Sequence, residues 1–193
     1  YLLDKNNKIN YLLLNNFFKK YGDRKFLIFG FTSFIFDNLI NKLSKKLCKY
    51  TFKNGILLHG GGWKKMEKIK INNNEFKKKL FNKLQLKEIY NYYGLVEQTG
   101  SIFIECKYCH CFVTSNYSEI LIRDLNFNVL KNGKKGFIQL LSLLPKSYPG
   151  HSIITEDIGE IVDNRTCKCS AKGTGFIVHG RAKYSETRGC SDV

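Results

Sequence analysis

The chain has 193 residues, enough for one large domain or one and a half and for a sizeable buried core. Its formal charge is +16, but almost all of the positive charge is lysine strewn among asparagines, as in "KINNNEFKKKLFNKLQLKE"; the arginines are Arg24, Arg123, Arg165, Arg181 and Arg188. Phosphate and base recognition leans on arginine forks, so the charge reads as solvated helix faces rather than a nucleic-acid or membrane-binding surface.

No apolar run reaches the roughly 18 residues that cross a bilayer, and no secretory signal pattern opens the chain. Met66 is the only methionine, so the sequence reads as starting inside a longer protein or as a fragment. The cysteine count is odd, seven, and five of these cysteines fall in two tight groups. That argues against a secreted disulfide framework and for a reducing, cytoplasmic setting with a metal site or a reactive thiol.

In chain order, "KINYLLLNNFFKKY" (8–21) has apolar residues at helical spacing, and "RKFLIFGF" reads as a buried strand. "FDNLINKLSKKLCKYTF" (36–52) predicts a second helix, and "NGILLHGGGW" a strand running into three glycines. "NNEFKKKLFNKL" predicts a third helix with asparagine caps, and "LKEIYNYYG" a further strand. Strands alternating with helices imply crossover connections and a parallel sheet, with ligands beyond the carboxyl ends of its strands. After residue 100 the pattern turns to short strands: "SIFIEC", "SEILIRD", "GFIQLLSLL", "IGEIV" and "GFIVHGR". The predicted fold is α/β: a parallel-sheet layer with flanking helices over 1–100, followed by a mainly antiparallel β subdomain over 101–193.

Five constellations carry chemistry. "HGGGW" (59–63) removes side chains at a strand exit, which suits close approach of a flat or phosphorylated ligand or simply a tight turn under Trp63. "YYGLVEQTGS" (92–101) offers an aromatic face, a permissive glycine and the lone carboxylate Glu97, a hard oxygen ligand suited to Mg²⁺; the plain alternative is a surface loop. In "SYPGHSIITEDIGEIV" (147–162) a "TED" precedes a strand, and Asp157 is placed either to accept from vicinal hydroxyls or to cap a turn. "ECKYCHC" (105–111) and "CKC" (167–169) are two short chelating clusters far apart, the usual way to build a tetrahedral thiolate zinc site. Its candidate ligands are Cys106, Cys109, Cys111, Cys167 and Cys169, with His110 as an alternative; free or buried thiols are the other reading. Near the end, Cys190 sits close to Arg188 and Lys183, cations that would favour its thiolate.

Together these runs resemble the adenylate-forming superfamily, and within it the LuxE-type acyl-protein synthetases, with phenylacetate-CoA ligases next. "FGFTSFIF", "LLHGGGWKK", "YYGLVEQTGS", "IRD", "LSLLPKSYPGHSIITEDIGEI" and "FIVHGRAKYSETRGCSD" match that family's motifs in order and cover essentially the whole chain. The resemblance implies that a fatty acid is activated with ATP and Mg²⁺ as an acyl-adenylate and passed to a thiol. It implies that Tyr93 stacks on adenine beside Gly94, that Gly61 and Gly62 line the adenine pocket and that Glu97 holds Mg²⁺. It further implies that Asp157 binds the ribose with help from Arg181, that Cys190 carries the acyl group and that a donor or acceptor protein of reductase or transferase type takes part. The cysteine clusters resemble the zinc knot of some phenylacetate-CoA ligase relatives.

Three departures stand out. Val96 occupies the place where the superfamily usually has Thr, and Lys183 the place of its hinge Asp. The Ser/Thr/Gly-rich loop that grips the outer phosphates is not in these residues, so the chain by itself is expected to bind AMP weakly and not to adenylate. The competing expectations are a carboxylate-CoA ligase and a non-catalytic, zinc-stapled remnant.

Overall fold

The computed structural model describes residues 1–47, 49–63, 66, 69, 71–169 and 171–182. The chain forms two compact units, Tyr1–Tyr90 and the residues from Asn91 onward.

In the first unit, α1 (Tyr11–Tyr21) starts where the Asn10 side chain accepts from Leu13 N at 3.0 Å, and it buries Leu14 and Phe18, four residues apart on one face. Strands β1 (Phe26–Phe31) and β2 (Gly55–Gly60) run parallel, in register from Phe26↔Gly55 to Phe31↔Gly60. After β2 comes α3 (Asn73–Leu84), capped by Asn72 onto Glu75 N and closed by left-handed Gln85 (φ 59°). It buries Phe76, Leu80 and Leu84 on one stripe. Strand β3 (Glu88–Tyr93) follows next to β2 in the sheet order, and the division between units falls inside it.

Two expectations are corrected here. The second helix does not run over 36–52. It begins earlier, as α2 (Thr32–Ile35), widens to a π-helix over Phe36–Lys42 and stops. Buried Asn38 turns its side-chain amide onto Phe34 O, and Asn38 O accepts from Leu43 N at 2.8 Å, five residues on. Tyr11 Oη then accepts from Ser44 N, which fixes the chain after the π-turn. The strand of "FLIFGF" is also not buried throughout. Leu27 and Phe29 are each 65 % exposed, so β1 covers only one face, whereas parallel strands are ordinarily covered on both.

The second unit opens with the end of β3 paired antiparallel to β4 (Phe103–Ile104), Tyr93 opposite Phe103. A five-stranded sheet follows in the order β5-β9-β8-β7-β6, with neighbouring strands antiparallel. Its strands are β5 (Phe112–Val113), β6 (Ser118–Arg123), β7 (Gly136–Ser142), β8 (Ser152–Val162) and β9 (Gly175–Arg181). Phe103, Ile120, Ile122, Ile138, Leu140 and Phe176 form its core. Strand β8 starts well before "TED", so Asp157 stands within a strand rather than ahead of one. The α/β layer and antiparallel sheet are the fold class that the sequence predicts. No helix among the described residues is long and apolar enough to cross a membrane.

Candidate functional site

The chemistry-bearing side chains of the second unit gather at the end of β3 and along β8 and β9. Tyr93, the last residue of β3, donates its phenol proton to Asp157 Oδ2 at 2.7 Å. Its ring lies against Phe103, Phe112 and Phe176, with centroids 6.0–6.3 Å away. Burial, and then the Asp157 charge, push the phenol's pKa far above its ordinary value, so it stays a donor. Asp157 is the register partner of Arg181 on β9, and the Arg181 guanidinium reaches Glu156 Oε2 at 3.4 Å. The Asp157 backbone is tied to Thr155, whose Oγ1 accepts from Asp157 N at 3.0 Å.

Past Tyr93 the chain turns through Gly94, where a Cβ would sit 3.0 Å from Ser101 O, into the 3₁₀ turn Val96–Gln98. Glu97 on this turn is exposed, and its carboxylate makes no hydrogen bond or ion pair among the described residues. The next side chain anchors the turn from behind. Gln98 is fully buried, and its amide donates to Leu140 O (3.3 Å) and Gly150 O (2.9 Å). Tyr148 Oη accepts from Thr99 N at 3.0 Å, and Ser101 Oγ donates to Ser142 Oγ at 2.7 Å. A Cβ on Gly150 would lie 2.9 Å from Glu97 O and 2.3 Å from the Tyr148 ring, so only glycine fits this crossing.

In the first unit the glycine run follows β2. Gly61 takes φ +75°, and nothing approaches a Cβ built on Gly62 within 4 Å. Before them, buried His59 meets Thr32 Oγ1 through Nδ1 at 2.9 Å, and Thr32 Oγ1 also donates to Gly60 O at 3.1 Å. One hydroxyl proton serves both contacts only if His59 Nδ1 carries the hydrogen, which leaves Nε2 a buried lone pair without a partner among the described residues. Burial, with the Lys77 charge second, lowers the His59 pKa to about 4, so the ring is neutral.

The two cysteine groups meet. The sulfurs of Cys106, Cys109, Cys167 and Cys169 lie within 4.8 Å of one another, and Cys106 Sγ is 3.6 Å from Cys167 Sγ. A tetrahedral ion with sulfur ligands at about 2.3 Å sets its ligands roughly 3.8 Å apart, so this donor set fits zinc. Tyr108 N donates to Cys106 Sγ and Cys169 N to Cys167 Sγ, so each loop turns backbone N–H groups onto its leading sulfur. Burial opposes the Cys106 thiolate, but the backbone of Cys109 and Tyr108 outweighs it and brings the pKa to about 7. Buried Cys111 stands beside the quartet, its sulfur 2.9 Å from Cys109 Sγ. His110 turns its Nδ1 to buried Glu105 at 3.2 Å.

A family model described as "Acyl-protein synthetase, LuxE" matches residues 5–193. The chain belongs to the LuxE acyl-protein synthetase family. No curated protein matches it in sequence. Its fold is that of adenylate-forming enzymes. A luciferase-like enzyme from the nonluminescent mealworm Zophobas morio is 18% identical, with a TM-score of 0.57 over 93% of this chain and 42% of that one. ATP-bound MatB from Rhodopseudomonas palustris is 13% identical, with a TM-score of 0.57 over 90% of this chain and 33% of that one. McyG A-PCP, complexed with phenylalanyl-adenylate, is 17% identical, with a TM-score of 0.55 over 90% and 33%. The LuxE-family chain thus spans well under half the length of these enzymes.

Of the residues singled out in the sequence, Tyr93, Asp157 and Arg181 come together in the second unit, with Gly94 and Glu97 on the turn that leaves Tyr93. Cys190, Lys183 and Arg188 lie outside the described residues. Sequence reasoning missed Gln98, Tyr148 and Gly150. The "YPG" of 148–150 was a signal in plain view, since a tight turn between two strands has to meet something.

Proposed function

We propose that this chain is part of an ATP-dependent acyl-protein synthetase that activates a fatty acid as acyl-adenylate and hands the acyl group to the thiol of Cys190. The observation that carries the reading is the Tyr93–Asp157 hydrogen bond with Arg181 opposite Asp157 in register. Tyr93 occupies one lone pair of Asp157 Oδ2 and orients the carboxylate, leaving Oδ1 to accept from a ribose diol. Arg181 supplies positive charge beside a nucleotide. Glu97 projects an unengaged carboxylate from a turn pinned by Gln98 and Gly150, a donor that fits Mg²⁺. A divalent ion bound there would neutralise charge developing on pyrophosphate. Tyr93 supplies an aromatic edge for adenine, and Gly61 and Gly62 present bare backbone.

In the reaction a carboxylate oxygen attacks the α-phosphorus of ATP. The bond to the α,β-bridging oxygen breaks and pyrophosphate leaves. The Cys190 thiolate then attacks the acyl carbonyl, AMP departs and a thioester remains. A reductase- or transferase-type protein is the proposed acyl partner. Cys106, Cys109, Cys167 and Cys169 are proposed to hold a structural zinc that ties the 105–111 and 167–169 loops, in a reducing compartment such as the cytoplasm.

The test incubates the full-length protein of which this chain is part with ATP, Mg²⁺ and radiolabelled long-chain fatty acid, wild type beside Cys190→Ser. Pyrophosphate from both with hydroxylamine-labile label only on wild type supports the reading. Pyrophosphate from both without protein label points to a soluble acceptor such as coenzyme A. No pyrophosphate from either, across several carboxylic acids, leaves a zinc-stapled, non-catalytic chain.

A further inference from the structure

The connection between β6 and β7 is apolar at its tip, basic along its return and internally braced. Leu125, Phe127 and Val129 are 81 %, 60 % and 55 % exposed. The tip that carries them is organised by Asp124. Its Oδ1 accepts from Asn126 N (2.9 Å) and Asn128 N (2.8 Å), and its Oδ2 from Asn128 Nδ2 (3.2 Å). The Arg123 guanidinium donates to Phe127 O, and Phe127 is held at φ +63°, a conformation that bulky residues rarely adopt. Lys131, Lys134 and Lys135 follow, all exposed, on a turn whose Gly133 N–H is bound to Ile161 O. Asp124 is engaged within the tip itself, and Asp163, just past β8, is held by Arg165. Three exposed lysines thus follow three exposed apolar side chains within one short connection.

We propose that this hairpin tip is a peripheral anchor for an anionic lipid surface, with Leu125, Phe127 and Val129 entering the interfacial layer while Lys131, Lys134 and Lys135 meet its headgroups. A lipid fits better than a protein partner. Three apolar side chains on one short connection offer little beside the roughly 800 Å² per side of a stable protein interface, and the lysines that follow them suit anionic headgroups. The inference does not depend on the proposed reaction.

The test is flotation of the protein with neutral phosphatidylcholine vesicles and with vesicles containing phosphatidylserine, at low and high salt. One variant carries Leu125→Ser with Phe127→Asn, another carries Lys131→Glu, Lys134→Glu and Lys135→Glu. These side chains are exposed, so unchanged thermal melting serves as the folding control. The expected result is binding to the anionic vesicles alone, weakened by salt and reduced about tenfold or more in each variant. Wild type that stays with neither vesicle overturns the proposal, as a protein partner for the tip would. So does binding that the apolar variant leaves unchanged, because lysines elsewhere on the chain would then suffice.

Discussion

Tyr93 and Asp157 are 64 residues apart in sequence and 2.7 Å apart in space, joined by a phenol-to-carboxylate hydrogen bond. A neutral donor on a charged acceptor contributes about 1.5–3 kcal/mol, and it also fixes which carboxylate oxygen is left for a ligand. The two residues should therefore have separable effects on nucleotide binding. Asp157→Asn keeps the shape but loses the charge, and is expected to weaken AMP binding by about tenfold or more. Tyr93→Phe keeps the ring and leaves Asp157 intact, so a smaller loss is expected. Isothermal titration with AMP checks the order; equal losses would show that the bond itself, rather than the free Asp157 oxygen, matters.

The thiol quartet makes a prediction independent of catalysis. Protein purified without chelator should carry about one zinc per chain, read by elemental analysis. Cys106→Ser or Cys169→Ser should lose it, and Cys111→Ala should keep it. Because metal binding is folding free energy, chelation is expected to lower the melting temperature by about 10 °C or more. Metal retained in both ligand variants and lost in Cys111→Ala would reassign the site.

The crossing of Gly150 beneath Glu97 predicts the effect of one methyl group. Gly150→Ala places a Cβ 2.9 Å from the Glu97 carbonyl oxygen, a backbone atom that cannot swing aside. The turn must move and take Glu97 and the Gln98 hydrogen bond with it. A cost of about 1–3 kcal/mol is expected, seen as a lower urea midpoint, together with weaker Mg²⁺ dependence of any pyrophosphate release.

Helix α3 was legible because its cap, Asn72, and its stripe of Phe76, Leu80 and Leu84 are local signals. The cysteine clusters were legible because chelation constrains spacing. The π-turn was not, since it depends on Asn38 folding back onto Phe34 and on Tyr11 catching Ser44 from 33 residues away. Gln98 was invisible for the same reason. It reads as a polar neighbour of Glu97, and only contacts 42 and 52 residues distant show it to be buried. The exposed face of β1 was misread because "FLIFGF" carries apolar residues on both faces, and sequence alone cannot say which face this chain covers.

His59 gives the stability a pH dependence. Its folded pKa, about 4, lies below the ordinary 6.5 because burial disfavours the charged ring. The unfolded state therefore binds the extra proton first. The contribution is fully present above about pH 6.5, is lost progressively as the pH falls from there toward 4, and reaches at most about 3 kcal/mol. His59→Asn, which cannot titrate, should flatten that part of the curve in urea unfolding between pH 7 and pH 4, whatever its effect at neutral pH. A variant that keeps the wild-type slope would move the origin of the dependence to another group.

The half-covered strand β1 has a consequence in solution. Leu27 and Phe29 expose apolar side chains on a parallel strand, the kind of surface that soluble chains cover. β1 also stands at the end of the strand order β1-β2-β3-β4. The 193-residue chain alone is accordingly expected to self-associate. Leu27→Lys with Phe29→Lys should raise the monomer fraction in light scattering without lowering the melting temperature, because neither side chain contributes to the Leu57–Phe76–Leu80 core. A wild-type chain that stays monomeric at high micromolar concentration would mean that this face tolerates water. A double variant that unfolds would place the two side chains in the core after all.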